Sequence, residues 1–172
     1  MLLGSAASMR KLVLPGASLL ALVLAAPLGS GCAHNARIPG TNVPSTETNR
    51  KIIETVEEYR RWLMARDTDH LLMLASERYF EDSGTPRADD DYGYEGLKQV
   101  LTTRLSRVRS LRFDIQYRNI KMVDNHAEVE VFLNGAFELL SEAGERYRRV
   151  NDYHRFLLER AGPDRWKFIA GM

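Results

Sequence analysis

At Ser110 the spacing of apolar residues changes from helical to alternating, and this change limits the chain to few kinds of fold. Before it, Ile52, Val56, Tyr59 and Leu63 recur every three or four residues from Asn49 onward, with Glu57, Glu58, Arg60 and Arg61 off the stripe. Such spacing places the apolar groups on one side of an amphipathic helix. A second, shorter apolar face holds Leu71, Leu72, Leu74 and Ala75, and Asp67 stands where a carboxylate can accept from free amides at its start. The loop over residues 83–93 carries Gly84, Pro86 and the acidic run Asp89-Asp90-Asp91, which is expected to cap a third helix marked by Tyr94, Leu97, Leu101, Leu105 and Val108.

Beyond Ser110, Leu111, Phe113, Ile115 and Tyr117 alternate with Arg112, Asp114, Gln116 and Arg118. Ala127, Val129, Val131 and Leu133 then alternate with Glu128, Glu130, Phe132 and Asn134. A period of two belongs to strands. Turn signals at Asp124-Asn125, Glu142-Ala143-Gly144 and Gly162-Pro163-Asp164 separate two further strands, over residues 146–159 and 166–170. Turns this short join antiparallel neighbours and leave no room for a crossover helix. The expected class is α+β, three N-terminal helices packed on one face of a curled antiparallel sheet of four or more strands.

The front of the chain reads differently. Arg10 and Lys11 precede an apolar run over residues 12–28, then come Gly29, Ser30, Gly31 and Cys32. This is the layout of a secretory signal over residues 1–31, with Met1 or Met9 as its start. Pro15, Gly16, Ser18 and Pro27 leave only residues 19–26 unbroken, too few for a hydrocarbon layer that needs about 20. Cys32 is the one cysteine, so no disulfide forms within the chain. Residues 33–48 are polar, hold Pro39 and Pro44 and show no period, and are expected to be a flexible tether before a domain over residues 49–172.

Leu28-Gly29-Ser30-Gly31-Cys32 resembles the lipobox of bacterial lipoproteins, with Leu28 one place further from the cysteine than the usual pattern. The resemblance implies diacylglyceryl transfer to the Cys32 thiol and cleavage before it. Two acyl chains hold a protein firmly to a bilayer where one does so marginally. The expected location is the bacterial cell envelope, at the outer membrane facing the periplasm. The competing reading is an unmodified Cys32 beside an ordinary cleavage site, which releases the domain.

Residues 51–172 resemble the nuclear transport factor 2-like superfamily, whose cone-shaped domains set three helices against a strongly bent sheet. The residues that carry the resemblance are Tyr59 with Arg66-Asp67, residues 71–74, Tyr79-Phe80-Glu81-Asp82, Tyr94-Glu95-Gly96-Leu97, Val150-Asn151-Asp152-Tyr153-His154-Arg155-Phe156, and Trp166-Lys167-Phe168. Set beside the steroid isomerases of that superfamily, Tyr59 resembles the hydrogen-bonding tyrosine, Asp82 the proton-shuttling base and Asp152 the protonated acid. Such a set removes a proton beside a carbonyl and donates hydrogen bonds to the enolate oxygen. His154, with an intrinsic pKa of about 6.5, is a further acid–base candidate.

Each of these residues has a plainer role open to it. Tyr59 fits a core aromatic of the first helix, and Asp82 fits a turn-closing carboxylate. Arg148 and His154 share the strand face of Asp152, and cationic neighbours favour the ionised form over a neutral acid. His34, His70 and His126 show no zinc or calcium spacing, so no metal and no cofactor are expected. A formal net charge of +1 and the interleaving of Arg104, Arg107, Arg109 and Arg112 with apolar residues exclude a nucleic-acid partner. Three functions remain from this reading. The first is an envelope domain that binds a small apolar ligand or a protein partner without catalysis; the others are an isomerase or dehydratase, and a homodimeric structural module.

Overall fold

The computed structural model describes residues 36–82, 89–141 and 144–172. The expected signal segment, Cys32 and most of the loop at 83–88 lie outside the described residues, as does the turn at 142–143. The described residues form one compact unit. Its elements are α1 (Glu47–Ala65), α2 (Thr68–Leu74), β1 (Phe80–Glu81), β2 (Tyr92–Gly93), α3 (Tyr94–Ser106), β3 (Val108–Val123), β4 (His126–Ser141), β5 (Gly144–Arg160) and β6 (Trp166–Ala170). The class is α+β, with helices followed by a four-stranded antiparallel sheet in the order β3-β4-β5-β6.

Both periods do the work their spacing implies. Ile52, Val56, Tyr59 and Leu63 form the buried side of α1, and Leu97, Leu101 and Leu105 that of α3. Phe113 and Tyr117 of β3, Ala127, Val129, Val131 and Leu133 of β4, and Phe156 and Leu158 of β5 make the inner face of the sheet. α1 lies across this face, against β3 and β6. Shifts of register between Val108 and Ser110 and between Tyr117 and Asn119 mark bulges in β3, and bulges bend a strand and increase its twist. Gly135 sits on the same inner face of β4, where an added Cβ would lie 3.0 Å from the Phe137 ring and 3.3 Å from that of Phe113. The glycine lets Phe113 approach the backbone of the bent sheet.

Four local expectations change. Residues 36–48 are not a tether throughout: Arg37 and Pro44 form a β-bridge, Asn42 N–H donates to the Tyr117 carbonyl at 3.5 Å, and Val43 is 0% exposed in the core. α1 accordingly begins at Glu47, capped by Thr46, whose hydroxyl accepts from Asn49 N–H at 3.1 Å. The acidic run does not cap α3, because Gly93 occupies that position and supplies no side chain. Val108 belongs to β3 rather than to α3, since Arg107 ends the helix and Val108 pairs with Leu139. Asp67 does cap α2, with Oδ1 accepting from His70 N–H at 3.0 Å.

Candidate functional site

β1 is only two residues long, yet its alternation decides which carboxylate turns inward. Phe80 is exposed, whereas Tyr79 and Glu81, two residues apart, share the inner side. The Tyr79 hydroxyl donates to Glu81 Oε2 at 3.0 Å. That same oxygen accepts from Gly171 N–H at 2.8 Å, and the Tyr79 oxygen accepts from Met172 N–H at 3.0 Å. From β5, His154 Nε2 lies 2.7 Å from the Gly171 carbonyl oxygen and donates to it, which places a proton on Nε2. Two side chains at β1 and one from β5 thus hold one short stretch of backbone.

The held stretch is shaped for its seat. Gly171 has φ +89°, and a Cβ there would lie 2.5 Å from the Arg155 carbonyl oxygen and 3.3 Å from His154 Nε2. A side chain is therefore excluded both by the backbone conformation and by space. Met172 packs its side chain against the core. Burial pushes the Tyr79 phenol well above its ordinary range, so it remains a neutral donor.

Tyr59 stands deeper, 6% exposed, with its ring edge-on to Phe113 and Phe156 and tilted on Phe168 at 5.4 Å. Burial raises its pKa strongly, and the nearby Tyr92 adds to the rise. Its hydroxyl makes no hydrogen bond to a described residue. Phe156 also meets the His154 ring edge-on at 4.7 Å, and Tyr92 stacks on Tyr79 at 6.4 Å. Side chains of Tyr59, Tyr92, Tyr79, Glu81, His154 and Phe156 consequently form one continuous cluster.

Of the four residues expected at an acid–base site, the fold brings Tyr59 and His154 each into edge-on contact with the ring of Phe156. Asp82 and Asp152 are exposed. Asp152 pairs with Leu133 across β4 and β5, and its Oδ1 accepts from Tyr153 N–H at 2.8 Å. The inward carboxylate is Glu81. Its spacing Tyr79-x-Glu81 puts it on the face of Tyr79, which points inward only once the burial of Tyr79 is known. Among the described residues no group of three His, Cys, Asp or Glu side chains is placed to hold a metal ion. Among them, too, no helix is long and apolar enough to cross a membrane.

The outer face of the sheet has another character. Phe132 and Tyr153 face each other across β4 and β5, edge-on at 5.3 Å. Tyr153 is 71% exposed and Tyr147 of the same strand 75%. A surface cleft of about 420 Å³ opens here, lined by Arg118, Glu130, Val131, Tyr153, His154 and Arg155.

No family model matches the sequence, and no curated protein is similar to it. Solved structures are similar. A protein from Novosphingobium aromaticivorans named as a scytalone dehydratase aligns with a TM-score of 0.60 at 16% identity, over 72% of this chain and 83% of that one. A ketosteroid isomerase-like protein from Erwinia carotovora atroseptica aligns with a TM-score of 0.55 at 15% identity, over 70% and 90%. A protein from Streptomyces avermitilis, named as a dehydratase of the nuclear transport factor 2-like family, gives 0.54 at 13% identity, over 72% and 92%. The chain has the cone fold of the nuclear transport factor 2-like proteins. Likeness at these identities concerns the fold, which hosts many unrelated functions.

Proposed function

We propose that the chain is a lipid-anchored protein of the bacterial envelope whose domain binds a protein partner through the outer face of its sheet, without catalysis of its own. The partner we assign is a second copy of the chain. The observation that carries this reading is where the aromatic groups lie. Phe113, Phe156, Phe168 and Tyr59 pack on one another inside, while Tyr153 stands in solvent against Phe132 and Tyr147 stands in solvent six residues back along the same face of β5. Exposed tyrosines grouped on one face mark a contact surface more than a solvated one. Arg118, Arg155 and Glu130 around Tyr153 supply both signs of charge, and a two-fold contact can set each sign against its opposite on the other copy.

A small apolar ligand inside the cone is the weaker form of the binding reading. Ile52, Val56, Leu97, Val129, Phe156, Leu158 and Phe168 already fill the interior formed by the described residues. An acid–base enzyme is the second reading. It is favoured by Tyr59 and His154 meeting at Phe156, and by neighbours named as dehydratase or isomerase-like. In that reading Glu81 replaces Asp82 as the inward carboxylate. Against it, Asp82 and Asp152 are exposed, and Glu81 and His154 are both bonded to Gly171 while it is seated, whereas a general base must reach the proton it removes.

The two readings part in a titration with 2-naphthol, a phenol that resembles an enolate. The binding reading predicts no shift of the Tyr59 or His154 resonances; saturable shifts of both favour the enzyme. The anchor rests on the Leu28–Cys32 sequence and is tested by mass spectrometry of the mature N-terminus. Diacylglycerol on Cys32 is expected, and a free thiol there overturns the anchor.

A further inference from the structure

We propose that Tyr79, Glu81 and His154 form a recognition site for a backbone-like amide, that Gly171–Met172 is its resident occupant, and that an exogenous peptide-like ligand enters by displacing this strap. The site does not depend on the pairing of two chains.

The site already holds backbone of its own chain. β6 ends at Ala170, which pairs with Leu157, so the strap has left the sheet ladder. Its two N–H groups and one carbonyl are met by side chains instead: N–H of Gly171 by Glu81, N–H of Met172 by Tyr79, and the Gly171 carbonyl by His154. A carboxylate and a phenol oxygen accepting from successive amides, with an imidazole donating to the carbonyl between them, are complementary to a peptide unit and not to an aliphatic chain. The set reads backbone, so the sequence of an incoming ligand is constrained at two places. Glycine is needed where φ is positive and the Arg155 carbonyl is close, and an unbranched apolar side chain is needed where Met172 rests on the core.

The strap is also built to be released. It is held by side-chain hydrogen bonds and one half-buried side chain, while Phe156 and Phe168 beside it are fixed by both the ladder and the core. Segments of that kind open locally without global unfolding.

The test uses N-acetyl-glycyl-methionine amide as the probe, followed by ¹⁵N and ¹³C shifts of the Tyr79, Glu81 and His154 resonances in the mature chain. Gly171→Ala cannot seat its strap, so it should take up the dipeptide at least tenfold more tightly than the unaltered chain. Adding Glu81→Ala to that variant should weaken uptake at least tenfold. Equal uptake by the unaltered chain and Gly171→Ala, no uptake by either, or uptake indifferent to Glu81→Ala overturns the proposal. If Gly171→Ala fails to fold, amide exchange of the unaltered chain decides. The Gly171 and Met172 amides should exchange at least tenfold faster than those of Val129 and Phe156. Equal rates make the strap a fixed part of the core and overturn the proposal.

Discussion

Asp67 shows how one residue sets a local structure and its response to acid. Its two carboxylate oxygens accept from His70, one from the backbone N–H at 3.0 Å and one from the ring Nδ1 at 2.8 Å, while that ring stacks on Trp62 at 4.0 Å. The backbone hydrogen bond from His70, then the one from its side chain, hold the Asp67 carboxyl below the ordinary carboxylate range. A depressed pKa stabilises the fold above the unfolded value and loses that contribution as pH falls through the folded one. Asp67→Ala should therefore lower the urea midpoint at pH 7, and the gap to the unaltered chain should close as pH falls below about 4. A gap that persists at pH 2 contradicts the assignment. Tyr79 is the buried counterpart. Tyr79→Phe strips the hydroxyl that joins Glu81 to Met172 and should cost about 1 to 2 kcal/mol in chemical denaturation. No loss would mean those hydrogen bonds are not made in solution. Asp67 was legible as a cap because its position before an apolar face is a local rule. Glu81 was not, because a two-residue strand has no alternation long enough to show which carboxylate faces inward.

At the scale of elements, legibility follows the length of the buried face. α1, α3 and the strands β3, β4 and β5 each repeat one period over many residues, and their boundaries moved only at the ends. β1 and β2, at two residues apiece, carry no such repeat: β2 falls within the loop expected over residues 83–93, and the residues of β1 were assigned to no element. Val43 was missed for a related reason. It is a single apolar residue between Asn42 and Pro44, and only its neighbours in space, not in sequence, reveal that it is core. Val43→Ala should lower stability by about 2 kcal/mol, as deleting methyls from a filled site does. A change under a few tenths in a urea titration would restore the tether reading for residues 36–48.

For the whole molecule, the cone fold supplies two surfaces of opposite character. The inner one is aromatic, filled, and closed at one side by Gly171–Met172; the outer one is charged, with tyrosines in solvent. Under the proposed function, a second copy lays its sheet against the first on the outer surface. Sedimentation equilibrium of residues 33–172 and of their Tyr153→Asp variant tests this directly. A dimer is expected for the first and at least a tenfold weaker one for the second, with unchanged thermal unfolding of the dissociated chains, because the substitution buries four aspartate oxygens per dimer where two rings met. A chain that remains monomeric at millimolar concentration, or a dimer indifferent to Tyr153→Asp, would contradict it.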